Sequence, residues 1–362
     1  MNSVGTAVRM PERLYCYKCE NVAVTTKCHV WIWHNLTTYN YQGKDMIDNF
    51  NRKINYLRVS VTDLCNLRCR YCMPEDGVVH RDHSEMMTAE ETLMAIQAAV
   101  DLGINKIRIT GGEPLVKRGI VKLCKAVADM PGVEEVCLTT NGVLLPKYAE
   151  ELKAAGVDRL NISLDTLDPD KFTYITRVGN LQDVLDGIDA AEKAGFENTK
   201  INCVLMGGFN DDEIEAFVDM TREKSIEVRF IELMPIGGGI DFDKQQFVSC
   251  EEVLKRVPEL EPLEIEDGVA RLYKIPGAPG RVGLIRPISC EFCEGCNKIR
   301  LTADGKIKPC LHSSQEVPLK GLAGDEMKAA LEKAILEKPE RRGDLDAENP
   351  SEAGRDMNQI GG

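Results

Sequence analysis

Cys65-Asn66-Leu67-Arg68-Cys69-Arg70-Tyr71-Cys72 sets three cysteines in one short loop, with three residues inside the first gap and two inside the second. So tight a loop can wrap three thiolates around one face of an iron–sulfur cube. A [4Fe–4S] cluster has four irons, and its usual frameworks supply four cysteines. The local set stops at three, so one iron would stay open to a ligand from outside the protein. A closed structural zinc site wants four ligands. No fourth Cys or His stands close by, since His80 and His83 follow only after a further loop.

The chain has 362 residues, room for one large α/β domain and a smaller module. With 43% hydrophobic and 28% charged residues its composition is that of a globular protein. No apolar run of about 18 residues suggests a membrane span, and no ordered n-region, h-region and cleavage site marks a signal peptide. The expected location is therefore the cytoplasm. A net charge of −13 argues against a general nucleic-acid or anionic-membrane binder. The 14 cysteines cluster in triads instead of spreading like a disulfide framework, which favours a reduced compartment and metal or Fe–S ligation. Residues 1–45 differ from the rest. Cys16, Cys19 and Cys28, with His29 or His34, could form a small zinc site, but the spacing fits no finger well. The segment reads instead as a non-native or disordered extension ahead of a natural start at Met46. The sequon Asn35-Leu36-Thr37 has no secretory context and reads as chance.

From Leu57 the pattern is regular. Strands are expected at Leu57–Thr62, Lys106–Thr110, Val136–Asn141, Arg159–Asp165, Thr199–Leu205 and Glu227–Leu233. Helices are expected between them at 88–102, 117–129, 146–155, 181–194 and 211–224, the first opened by a Thr88/Glu91 capping box. This order predicts right-handed βαβ units, hence an α/β fold, a partial (β/α)6 TIM-like barrel over 46–240. One face of each strand is polar. Arg58, Ser60 and Thr62 oppose Leu57, Val59 and Val61, and Lys106, Arg108 and Thr110 oppose Ile107 and Ile109. Thr139 and Asn141, then Asn161, Ser163 and Asp165, Lys200 and Asn202, and Arg229 continue that face. A filled barrel core would be Val, Ile and Leu, and a dry polar face would strand charges at several kcal/mol each. An open barrel with a wet lumen around a polar ligand resolves this. Its five cations Arg58, Lys106, Arg108, Lys200 and Arg229 predict a multiply anionic ligand, with Arg forks suited to phosphate.

The second strand ends in Thr110-Gly111-Gly112-Glu113-Pro114, where paired glycines would let a ligand approach the backbone. Over 241–338 the chain is Pro/Gly-rich, with short strands near Arg271–Ile275 and Val282–Ile285. A hairpin of Ile299–Thr302 and Lys306–Lys308, turning at Asp304-Gly305, would return Cys310 beside Cys293 and Cys296. That makes a second set of three cysteines. With Cys290 as a fourth it could instead be a closed zinc site or closed cluster. A helix is expected at 325–338, and a polar, disordered-looking tail at 339–362 ends in Gly361-Gly362.

The first triad followed by Met73-Pro74, with aromatic Tyr71 before its third cysteine, resembles the radical S-adenosylmethionine (SAM) enzymes. Taken with Lys106–Pro114, Thr139-Thr140-Asn141-Gly142, Asn161–Asp165, the second triad and the terminal Gly-Gly, the chain resembles the GTP 3′,8-cyclase family, molybdenum cofactor biosynthesis protein A. The resemblance covers nearly everything after Met46. It implies that the open iron of the first cluster binds SAM, with Tyr71, Gly112, Glu113, Ser163 and Met234 around it. It implies a second [4Fe–4S] cluster at Cys293, Cys296 and Cys310 that binds guanine. Arg58, Lys106, Arg108, Thr139, Lys200, Arg229 and the segment Lys298-Ile299-Arg300 would hold GTP. Lys298, Arg300, Gly361 and Gly362 would serve the reaction, the tail entering the cavity. The implied chemistry is reductive cleavage of SAM to methionine and a 5′-deoxyadenosyl radical. Loss of the ribose 3′ hydrogen and attack on guanine C8 then give 3′,8-cyclo-7,8-dihydro-GTP. A separate cyclic pyranopterin monophosphate synthase would take the product. The electron donor is unknown, and a homodimer is left open. Lys298 stands where the family carries arginine, keeping charge but losing the planar fork. The rival is another radical SAM enzyme with an auxiliary cluster, such as a peptide-modifying maturase.

Overall fold

A computed structural model describes residues 45–78, 81–237, 246–345 and 349–361. The chain divides into two units, Met1–Tyr41 and Gln42–Gly362. Cys16, Cys19, Cys28, His29, His34 and His80 lie outside the described residues.

Six parallel strands run side by side in chain order: β1 (Tyr56–Ser60), β2 (Lys106–Thr110), β3 (Glu135–Thr140), β4 (Arg159–Ser163), β5 (Lys200–Leu205) and β6 (Glu227–Glu232). The crossovers carry α1 (Ala89–Asp101), α2 (Ile120–Ala128), α3 (Leu145–Ala154), α4 (Pro169–Thr176), α5 (Leu181–Lys193) and α6 (Ile214–Glu223). The cap expected for α1 is present. Thr88 Oγ1 accepts from Glu91 N at 3.1 Å, and Glu91 Oε2 accepts from Thr88 N at 2.8 Å. Leu57, Val59, Ile107, Ile109, Leu138, Ile162, Ile201 and Phe230 are buried on the helix-facing side. Each such side chain contributes roughly 1.5–3 kcal/mol by leaving water.

The sheet does not stop at six strands. After α7 (Glu251–Arg256) come β7 (Glu261–Asp267), β8 (Ala270–Lys274) and β9 (Arg281–Ile285). β9 pairs parallel with β6, and β8 and β7 follow antiparallel. At the other edge β10 (Lys298–Leu301) pairs parallel with β1, then β11 (Lys306–Lys308) and β12 (Val317–Pro318) follow antiparallel. The open sheet has 12 strands, ordered β12-β11-β10-β1-β2-β3-β4-β5-β6-β9-β8-β7. The hairpin forms with the expected turn, and its first strand is also the neighbour of β1. The last helix, α8 (Gly324–Leu336), packs on α1, where Lys328 pairs with Asp101 at 2.6 Å.

The tail differs from expectation. It is ordered over 349–361, with Ala353, Asn358 and Ile360 each no more than 3% exposed. Polar composition hides this, because its partners are polar groups far away in sequence.

Candidate active site

Strand register assembles the lumen. Lys298, Tyr56, Lys106 and Glu135 align across β10, β1, β2 and β3, and Arg300, Arg58, Arg108 and Cys137 align in the next row of that face. The Tyr56 ring lies 5.0 Å from Lys106 Nζ, 5.5 Å from Lys298 Nζ and 5.8 Å from the Arg108 guanidinium carbon. Its hydroxyl accepts a hydrogen bond from Arg108 Nε. A strand begun at Leu57 overlooks Tyr56, although the Tyr56, Arg58, Ser60 alternation marks it.

Among the described residues, the lumen cations Lys106, Lys200 and Arg229 face carboxylates. Lys106 pairs with Glu135 at 2.6 Å. Lys200 lies 3.6 Å from Glu227, which also takes Arg229 and, at 2.6 Å, Arg281. Part of the lumen's positive charge is thus balanced by the protein's own carboxylates. Among the described residues Arg108, Lys298 and Arg300 form no ion pair with a carboxylate, and Arg58 stands beside them. Burial pulls Arg58 down to about 9, with Arg300 and Arg108 adding to the effect. Burial also brings Lys298 down to about 8, Arg58, Arg300 and Lys338 adding to it against a pull from Cys296. Arg108 goes the other way: Tyr56 and Cys137 outweigh the burial that opposes its charge. A cationic cluster so largely removed from solvent favours an anionic ligand. Ser60 Oγ, Asn161 Oδ1 and Asn202 Oδ1 on the same face are buried without hydrogen-bond partners among the described residues, as ligand-facing groups would be. Thr139 Oγ1 accepts from Arg108 Nη1 at 3.2 Å. Ile299 is fully buried on the opposite, apolar face, so its side chain does not reach the lumen.

The first triad rests on α4, an element too short to announce itself. Arg68 N donates to Thr176 O at 3.0 Å and Arg70 N to Ile175 O at 2.9 Å. Cys72 N and Met73 N both donate to Cys69 O, at 3.0 and 3.1 Å. Burial raises all three thiols, and each of Cys69 and Cys72 is raised further by its neighbours. Cys72 reaches about 12. Buried thiols that repel one another once ionised fit a cationic cluster core. Among the described residues no group of three or more His, Cys, Asp or Glu is spaced to hold a single metal ion.

The two glycines of Gly111-Gly112-Glu113 are required by the chain itself. A Cβ on Gly111 (φ +149°) would lie 2.5 Å from Thr62 O, and one on Gly112 would lie 2.4 Å from Leu64 O. They let β2 cross the segment leading into the triad at close backbone approach. Glu113 is fully buried, accepting from Leu115 N at 2.9 Å, Thr140 Oγ1 at 2.8 Å and Asn141 N at 2.7 Å. Burial raises it to about 7. It braces the ends of β2 and β3 against each other. Asn141 Nδ2 then donates to Asn66 Oδ1 at 2.8 Å, inside the cysteine loop. Tyr71 Oη donates to Asp165 Oδ2 at 2.7 Å, and burial raises Asp165 to about 6. Ser163 is half-buried at the end of β4, and Met234 packs against Ile236, Ala353 and Ile360.

The second triad begins in a tight turn, Cys296 N donating to Cys293 O at 3.1 Å, and closes at Cys310 beyond β11. Burial raises Cys293, with Cys310 and Cys296 adding to the effect, whereas Lys338 and Lys298 outweigh burial and lower Cys296. Lys338 is held there by Lys298 O at 3.0 Å and Pro309 O at 2.7 Å. Cys290 is exposed, unlike the other three.

The tail reaches the cation cluster. Arg58 Nη2 donates to Gly361 O at 2.6 Å, and Arg300 Nη1 to Ile360 O at 2.9 Å and Gly361 O at 3.4 Å. Asn358 Nδ2 donates to Asp63 O at 3.1 Å, just ahead of the first triad. Gly361 has φ +79°, and a Cβ there would meet Thr110 Cγ2 at 2.6 Å. Gly362 lies outside the described residues.

Residues 59–221 match the Radical SAM superfamily, and residues 226–344 match Molybdenum Cofactor Synthesis C. The chain is 50% identical over 321 residues to a GTP 3′,8-cyclase of Alkaliphilus oremlandii, a match covering 88% of this chain and 100% of that protein. It is 52% identical over 322 residues to a GTP 3′,8-cyclase of Peptoclostridium acidaminophilum, covering 88% of this chain and 98% of that one. In fold it is similar to Streptococcus suis SuiB bound to S-adenosylmethionine, with a TM-score of 0.58 and 18% identity over 80% of this chain and 68% of that one.

Proposed function

The chain belongs to the GTP 3′,8-cyclase family of the radical SAM superfamily, and from that premise we propose how its own residues carry the reaction. It is an enzyme that cyclises GTP to 3′,8-cyclo-7,8-dihydro-GTP, the first step of molybdenum cofactor biosynthesis. Cys65, Cys69 and Cys72 would hold one [4Fe–4S] cluster, and Cys293, Cys296 and Cys310 a second. When bound, the first cluster and SAM supply a one-electron cleavage that generates an organic radical able to take hydrogen from ribose. Tyr71, Gly112, Ser163 and Met234 would line the SAM pocket, with Glu113 bracing its wall from behind. Arg58, Arg108, Lys298 and Arg300 would take GTP, their charges held in a buried lumen where an anion is favoured. Lys106, Lys200 and Arg229, already facing carboxylates, would contribute at its edges, Thr139 would hold Arg108, and Ile299 could act only through its main chain. Cytoplasmic location, one electron from an external donor, and delivery of the product to a cyclic pyranopterin monophosphate synthase complete the proposal.

The observation that carries it is the convergence of buried Arg108 with half-buried Arg58, Lys298 and Arg300 from three adjacent strands. The test is anaerobic incubation with SAM, a reductant and each of the four nucleoside triphosphates, assaying cyclised nucleotide and 5′-deoxyadenosine. Product should form with GTP alone, and the reconstituted chain should hold about eight irons. Cys69→Ala should abolish SAM cleavage, and Cys296→Ala should chiefly damage cyclisation. Zinc at the second site, or full activity in Cys296→Ala, would refute the two-cluster assignment. No helix among the described residues is long and apolar enough to cross a membrane.

A further inference from the structure

The strap of residues leading to Gly361 is fastened at several points, and its end lies on the cation cluster. One fastening away from that cluster is Arg355. Its Nε and Nη2 donate to Glu316 Oε1 and Oε2 at 2.5 and 2.8 Å, and its Nη1 and Nη2 donate to Asp304 Oδ1 and Oδ2 at 3.0 and 2.9 Å. One guanidinium thus forks two carboxylates, with only 8% of its side chain exposed. Asp304 sits at the turn between β10 and β11 and also takes Arg81 Nη1 at 2.8 Å. The fully buried Lys308 of β11 donates to Ala353 O at 3.1 Å, just before Arg355.

The Arg355 and Ile360–Gly361 fastenings fall on one hairpin. Arg355 grips its turn, while Ile360 and Gly361 grip Arg300 on its first strand. The chain between them has little slack. Asp356 and Gln359 close a reciprocal cap around a single 3-10 turn, Met357–Gln359. The Gly237 backbone packs so close that a Cβ there would lie 2.5 Å from Asp356 Oδ1. This short ordered segment links Arg355 to Gly361 and the arginines it touches. Exposed ion pairs contribute little, but a bidentate pair with both partners largely buried fixes direction as well as position.

We propose that Arg355 is a positioning residue for the cyclisation: its double fork to Asp304 and Glu316 sets where the carbonyls of Ile360 and Gly361 meet Arg300 and Arg58. The proposal rests on the reading of those arginines as the nucleotide site. The Arg355 side chain is engaged with the carboxylates of Asp304 and Glu316. It acts by keeping the strap at high effective concentration over the site, and loose geometry in a reacting site costs rate more than binding.

The test uses the full-length, anaerobically reconstituted enzyme. Arg355→Met should keep its iron content and its KM for SAM, while cyclised product falls about tenfold or more. The ratio of 5′-deoxyadenosine to cyclised product should rise as cleavage loses its coupling to cyclisation. Arg355→Lys, with charge but no fork, should fall between the two. A synthetic peptide of residues 349–362 added to Arg355→Met should recover part of the product. Should Arg355→Met fail to accumulate, the pair Asp304→Asn with Glu316→Gln removes the same clamp from the other side. Unchanged product formation, or a loss with an unaltered ratio and no peptide rescue, would overturn the proposal. Absence of product from the wild-type chain with GTP would instead overturn the functional reading on which it stands.

Discussion

Gly361 is the smallest residue in the site and has the least freedom to change. Its left-handed backbone strains any side chain, and a Cβ would press on Thr110 Cγ2. Gly361→Ala should therefore lower cyclisation about tenfold or more while leaving iron content intact. Adding Thr110→Ser, which removes the opposing methyl, should recover part of the rate. An unaffected Gly361→Ala enzyme would show that the seat between Arg58 and Arg300 is unimportant. At this scale the sequence was informative where side-chain alternation marks one face, as with Arg58 and Arg108. It was silent where role depends on a distant partner. Glu135 and Glu227 neutralise Lys106 and Lys200 across strands that only register brings together, and Asp165 meets Tyr71 from the far end of β4. Ile299 followed its motif into the expected contact set although its own alternation points it into the core.

Among elements, the six parallel strands and five of their helices were legible because period-2 and period-3.6 patterns run long enough to separate. The capping box at Thr88 and the Asp304-Gly305 turn were equally plain. α4 and α7 were not, having eight and six residues, too few for a helical period to register. β7 carries Pro262, a residue that demotes a strand reading. Nor could alternation show that β10 pairs with β1, a contact between distant parts of the chain that places Lys298 and Arg300 in the lumen. The opposite side of the lumen depends on β6. There the Glu227 carboxylate, 1% exposed, is shared by Lys200, Arg229 and Arg281. Glu227→Gln takes away the charge these cations share and should destabilise the protein by about 3 kcal/mol, read as a lower urea midpoint. A midpoint equal to wild type would mean that solvent or ligand already balances that cluster.

For the molecule as a whole, the first contacts of the described fold are the Asp45–Lys53 pair at 2.6 Å, the Met46 carbonyl accepting from Ile54 N at 2.9 Å, and the Asp48–Arg52 pair at 2.6 Å. The Alkaliphilus relative aligns over its whole length with 88% of this chain. A chain beginning at Met46 should therefore bind iron and turn over like the full one. A large loss of either would assign the extension a part in the fold.

The claim on which everything else depends is that the lumen holds GTP with its ribose presented for hydrogen abstraction. Turnover with GTP deuterated at the ribose 3′ position measures this most directly, by the mass of the 5′-deoxyadenosine released. The account predicts that 5′-deoxyadenosine gains one deuterium and that the cyclised nucleotide loses it. Unlabelled 5′-deoxyadenosine alongside a deuterium-retaining nucleotide would contradict it.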